Sequence, residues 1–140
     1  MKKLAKILQF SLFAIVLASY PSAHATDLED AMKNIGKNAK ALKQSVGDPA
    51  KKAEAIAEIG EMIKSAEAAR TMTPKKATDL SDAERAQFMS DFQKHIDGLI
   101  EQFKKIETDL TDGKTDDAKA DFAKVNEMKR QGHEKFAAKD

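Results

Sequence analysis

The chain has 140 residues, with 24 basic against 23 acidic side chains, a formal charge of +1, and no cysteine or tryptophan. A balance this even gives no global attraction to nucleic acid. The missing cysteines exclude a disulfide framework, thiolate zinc sites and any covalent tether to a cofactor through cysteine sulfur.

The first segment reads as a targeting signal. Lys2, Lys3 and Lys6 precede an apolar run from Ile7 to Tyr20, and Ala23-His24-Ala25 places small residues where a signal peptidase reads. This predicts a secretory signal peptide over 1–25 with cleavage after Ala25. The apolar run is short and interrupted for a membrane span, so no stable membrane insertion is expected after processing. Residues 26–140 then form one domain, long enough to bury a modest core. Three lysines and no acids leave with the signal, as do His24 and the single tyrosine, Tyr20.

Four helices follow from apolar stripes and caps. In the first, Leu28, Met32, Ile35, Ala39, Leu42 and Val46 recur at alternating steps of four and three, the period of a helix with one buried face. Thr26 and Glu29 have capping-box spacing, and Gly47 offers a stop. Asp48-Pro49 reads as a cap followed by proline in the first turn of the second helix. That helix carries Ala53, Ile56, Ile59, Ile63, Ala66 and Ala69 and ends near Arg70; residues 71–80 are a connector punctuated by Pro74. Ser81 and Glu84 make a second capping box. Phe88, Phe92, Ile96, Leu99, Phe103, Ile106 and Leu110 form the third stripe, closed by Asp112-Gly113. Thr115, backed by Asp116 and Asp117, opens a fourth helix whose stripe runs through Ala118, Phe122, Val125, Met128 or Lys129, Gly132, His133 and Phe136. Mostly short turns between amphipathic helices predict an all-α, antiparallel up-down-up-down four-helix bundle.

That topology brings the start of the first helix beside the end of the last. Met32 lies five residues after Asp27 and His133 five before Ala138, so each stands about 7–8 Å into its helix at the same end of the bundle. The far end offers bulky residues such as Leu42, Ile59, Phe103, Ile106 and Phe122. The near end offers Ala31, Gly36, Ala66, Ala69 and Gly132, with Phe88 and Phe92 as aromatic walls. A gap lined this way would be destabilising if empty, and a flat apolar cofactor would fill it. A histidine and a methionine facing each other suit haem iron in an electron-transfer setting, where both axial positions are taken. From pattern alone, Met32 equally serves as gap-filling core and His133 as a hydrogen-bonded boundary residue. His95, three residues after Phe92 and four before Leu99, reads as a boundary residue.

Asp27-Leu28-Glu29-Asp30-Ala31-Met32 and Lys129-Arg130-Gln131-Gly132-His133-Glu134-Lys135-Phe136 resemble the opening and the last helix of the cytochrome b562 family, the soluble periplasmic cytochromes b. Asp91-Phe92, Ile96-Asp97 and Asp112-Gly113-Lys114 fit the same family, so the likeness spans 26–140. The resemblance implies one non-covalent haem b per chain, with Met32 and His133 as axial ligands. It implies Leu28, Ile35, Phe92 and Ile96 as further haem contacts, and Lys129 or Arg130 as the cation for a haem propionate. Two residues depart from the family pattern: Lys129 stands where arginine is expected and Gly132 where tyrosine is expected. The implied function is periplasmic single-electron transfer to an unknown redox partner protein, by a monomer that is not an enzyme. The alternative is a haem-free helical envelope chaperone or interaction module on the same scaffold. It leaves the paired Met32 and His133 without a physical reason. No triad, carboxylate dyad, phosphate loop or zinc motif supports catalysis.

Overall fold

The computed structural model describes residues 27–138; the expected signal peptide and Thr26 lie outside them. Four helices make the fold: α1 (Leu28–Ser45), α2 (Lys52–Arg70), α3 (Asp82–Thr111) and α4 (Thr115–Phe136). Short 3-10 turns, Pro49–Lys51 and Lys75–Asp79, join α1 to α2 and α2 to α3. No strand occurs among the described residues.

Cross-helix pairs set the direction of each neighbour. Asn34 Nδ2 donates to Ser65 Oγ at 2.6 Å, while Ser45 Oγ donates to Glu58 Oε2. The start of α1 therefore lies beside the end of α2, and its end beside the start of α2. Lys52 Nζ reaches the Thr111 carbonyl at 2.7 Å, and Arg70 pairs with Asp97, so α2 and α3 are antiparallel. Lys135 pairs with Asp91 at one end of α3 and α4, and Asp121 with Lys105 toward the other. The bundle is up-down-up-down, as the short turns require.

The caps follow side-chain chemistry. Asp27, not Thr26, caps α1: its carboxylate accepts the Asp30 amide at 2.9 Å. Asp48 likewise accepts from the Ala50 amide. Glu84 accepts from the Ser81 amide at 3.1 Å, completing the capping box that starts α3. Thr115 is the first residue inside α4 rather than its cap. α3 ends where Gly113 takes φ +74°, letting the Lys114 amide reach the Asp109 carbonyl at 2.8 Å; this is the left-handed stop that only glycine adopts without strain.

The core runs through the centre of the bundle. Phe103, Leu42, Ile59, Met62, Ile96 and Ile106 are among its largest buried side chains. The α1, α3 and α4 stripes match the sequence period. Most of the expected α2 stripe is inward: Ile59, Ile63, Ala66 and Ala69 are buried and Ile56 half-buried, while Ala53 is exposed and Ala55 and Met62 join the buried face. The 3-10 turn at Pro49–Lys51 takes the first turn that was assigned to α2, so the helix enters the core one step later.

Candidate functional site

The neighbours α1–α2, α2–α3 and α3–α4 are packed along their faces, whereas α1 and α4 make little direct contact. The seam between the first and last helix opens as a cleft of about 270 Å³. One wall is α1, with Leu28, Met32, Ile35 and Ala39; α3 supplies the back, with Phe92, Ile96, Leu99 and Phe103. The opposite wall is α4, with Val125, Lys129, Gly132, His133 and Phe136.

Helix periodicity positions these groups. Leu28, Met32, Ile35 and Ala39 follow the α1 stripe, so Met32 comes to the cleft because its neighbours do. Met32 is half-buried, as expected of a side chain at a wall rather than inside the core. Lys129, Gly132, His133 and Phe136 follow the same spacing on α4. His133 is exposed and also borders a shallow outer hollow with Asn126, Arg130 and Glu134. The seam thus brings a thioether and an imidazole to facing walls of one apolar slot.

Of the residues singled out in the sequence, Leu28, Met32, Ile35, Phe92, Ile96, Lys129 and His133 line the cleft. Arg130 does not. Its guanidinium lies on the outer face between Glu127 and Glu134, with nitrogen–oxygen distances of 2.5 Å to each. Phe88 also stays outside the cleft, half-buried and edge-on to Phe136 at 5.4 Å between ring centroids. Phe136 in turn meets Phe92 edge-on at 5.4 Å, so the aromatic wall is Phe92 and Phe136.

The small residues act differently from the sequence expectation. Ala31, Ala66 and Ala69 are fully buried and do not border the cleft; side chains of one carbon let helices pack closely. The opening comes from the unpacked α1–α4 seam instead. Gly36 faces outward into a hollow bordered by Met32, Lys33, Lys37, Lys40 and Lys129. Lys129 Nζ extends across the mouth of the seam toward it, 3.7 Å from where a Gly36 Cβ would stand. Lys33 is paired with Glu29 at 2.7 Å.

One residue read as a boundary group turns out to belong to the cleft. His95 lines it from α3 and packs tilted against Phe136, 5.5 Å between centroids. A Cβ on Gly132 would come within 2.4 Å of His95 Nε2, so the ring occupies the room that a side chain at 132 would need. Nε2 is buried and has no hydrogen-bond partner. Burial pushes this imidazole below its ordinary value; a hydrogen bond to the Met128 carbonyl works against that shift, and the Lys135 cation adds to it. The glycine at 132 marks a place without a side chain, but nothing in the spacing says that His95 fills it.

A cytochrome b562 family model matches residues 27–137, and the chain belongs to that family. No curated protein matches the chain.

Proposed function

We propose that this cytochrome b562 family member holds one non-covalent haem b in the α1–α4 cleft, with Met32 and His133 as axial ligands, and carries single electrons in the periplasm. The observation that carries this reading is the cleft itself: a slot lined mainly by apolar side chains, with Met32 on one wall and His133 on the other. Its donor set fits the group. Thioether sulfur and neutral imidazole nitrogen are the pair found on haem iron in electron-transfer proteins, and without cysteine the attachment rests on those ligands and on packing.

When bound, haem supplies an iron that gains or loses one electron. The protein's residues do the rest. Met32 and His133 would each give the iron one lone pair, and ligation by both would disfavour oxygen or peroxide chemistry. Leu28, Ile35, Phe92, Ile96 and Phe136, which line the cleft, would exclude water from the bound group, and that burial would tune its potential. Among the described residues Lys129 has no ion-pair partner, and it stands at the mouth where it would neutralise a propionate as a point charge. Arg130 is already committed to Glu127 and Glu134, which favours Lys129 for that role.

The test is an absorption spectrum of the mature chain, oxidised and then reduced with dithionite. One haem per chain with sharp α and β bands on reduction is expected. Absence of a Soret band after haem titration would remove the reading. Met32→Ala should convert the ferric form to high spin with haem still bound; an unchanged low-spin spectrum would refute Met32. His133→Ala should weaken haem binding, and an unaltered affinity would refute His133.

A further inference from the structure

The cleft contains a second imidazole that the Met32–His133 assignment does not use. His95 Nε2 is, among the described residues, the buried side-chain polar atom left without a partner. A residue there for packing alone would be better served by an apolar ring, since burying a polar atom unpaired is unfavourable.

Its surroundings favour the form that can ligate. Nε2 is buried without a hydrogen bond, so no protein group competes for it, and an imidazole ligates through a ring nitrogen that carries no proton. Burial and the neighbouring Lys135 cation both favour the neutral ring that ligation needs.

Position matters as much as protonation. Nε2 lies against Gly132, the residue that immediately precedes His133, and any Cβ there would collide with it. Both imidazoles therefore belong to the α3–α4 side of the cleft, and Met32 belongs to the α1 side. We propose that His95 is a reserve ligand for haem iron, able to take the place of His133 opposite Met32 when the His133 position is vacated. His95 and His133 line the same cleft, so a turn of the His95 side chain off Gly132 would carry Nε2 toward the space that a missing His133 ring leaves. This rests on the haem reading above and extends it to a residue outside the Met32–His133 pair.

The test compares the mature chain with His133→Ala and with His133→Ala/His95→Ala, each titrated with haemin and followed by absorption and electron paramagnetic resonance. His133→Ala is expected to keep a low-spin fraction. The double variant is expected to lose that fraction and a further tenfold or so in haem affinity. A His133→Ala/His95→Gln variant, which keeps a polar side chain of similar bulk, guards against a folding defect and should behave like the double alanine variant if circular dichroism shows it helical. High-spin iron in His133→Ala, or equal spectra and affinities with and without His95, would overturn the proposal. A mature chain that takes up no haem would instead overturn the reading it rests on.

Discussion

Replacing Gly132 with alanine tests the contact between α3 and α4 directly. In an ordinary helix interior the change is favourable, because glycine costs about 1 kcal/mol relative to alanine. Here the new Cβ would stand 2.4 Å from His95 Nε2, closer than carbon and nitrogen can approach. The imidazole must move, yet it is held between Phe136 and the Met128 carbonyl. Overpacking of this kind costs about 1–3 kcal/mol. The sum for Gly132→Ala is a net destabilisation of about 1 kcal/mol, or about 4 °C in Tm for a domain of this size. With His95 already changed to alanine the clash disappears, and the same substitution should stabilise by about 1 kcal/mol. The coupling between the two sites is then about 2 kcal/mol, well within the range for residues in contact. Urea and thermal unfolding of the purified chain, followed by circular dichroism at 222 nm, measure all four corners of the cycle. An equal gain from Gly132→Ala in both backgrounds would refute the contact.

Two other perturbations probe the scaffold. Phe103 is 0% exposed and also forms the back of the cleft, so Phe103→Ala should cost about 3–5 kcal/mol; a loss under about 1 kcal/mol in the same unfolding assay would show that the core collapses around the gap. Asp121 is 4% exposed and accepts hydrogen bonds from Lys105 and Lys124, which hold its carboxyl well below the usual carboxylate range. Because the folded value is depressed from 3.8, its contribution is fully present above about pH 4 and is lost as pH falls below that. Both lysines are more than half exposed, so screening limits the contribution to about 1 kcal/mol. Stability of Asp121→Asn should therefore fall short of the parent at pH 7 and converge with it near pH 2; parallel curves over that range would contradict the pairing.

Most of the architecture could be read from residue spacing, because each helix carries an apolar stripe and two of the three connections are short. Ser81 with Glu84 and Gly113 marked their boundaries through local chemistry that involves only a few adjacent residues. The start of α2 was harder: the 3-10 turn at Pro49–Lys51 precedes the helix, Ala53 stays exposed, and Ala55 is the first buried residue. Met32 and His133 could be placed together because topology fixes which helix ends share a level, whereas Leu28, Ile35, Phe92, Ile96 and Lys129 followed from the family resemblance. What spacing could not convey was which pair of helices stands apart. Small residues at the near end suggested a gap inside the bundle, whereas Ala31, Ala66 and Ala69 tighten it. The His95–Gly132 contact was out of reach for a related reason: it depends on the rotation of α3 against α4, to which neither residue's own helix gives a clue.

The seam between α1 and α4 also bears on how the molecule comes together. With those two helices nearly independent, almost every packed surface joins elements adjacent along the chain. Closing such contacts demands only small loops, so the polypeptide can collapse rapidly and in order from either terminus. On the proposed reading, haem would sit between the first and last helices and turn an open stack into a closed ring. Occupancy would then act as a clasp on the two ends of the polypeptide, with a stabilising effect that grows with the logarithm of available haem.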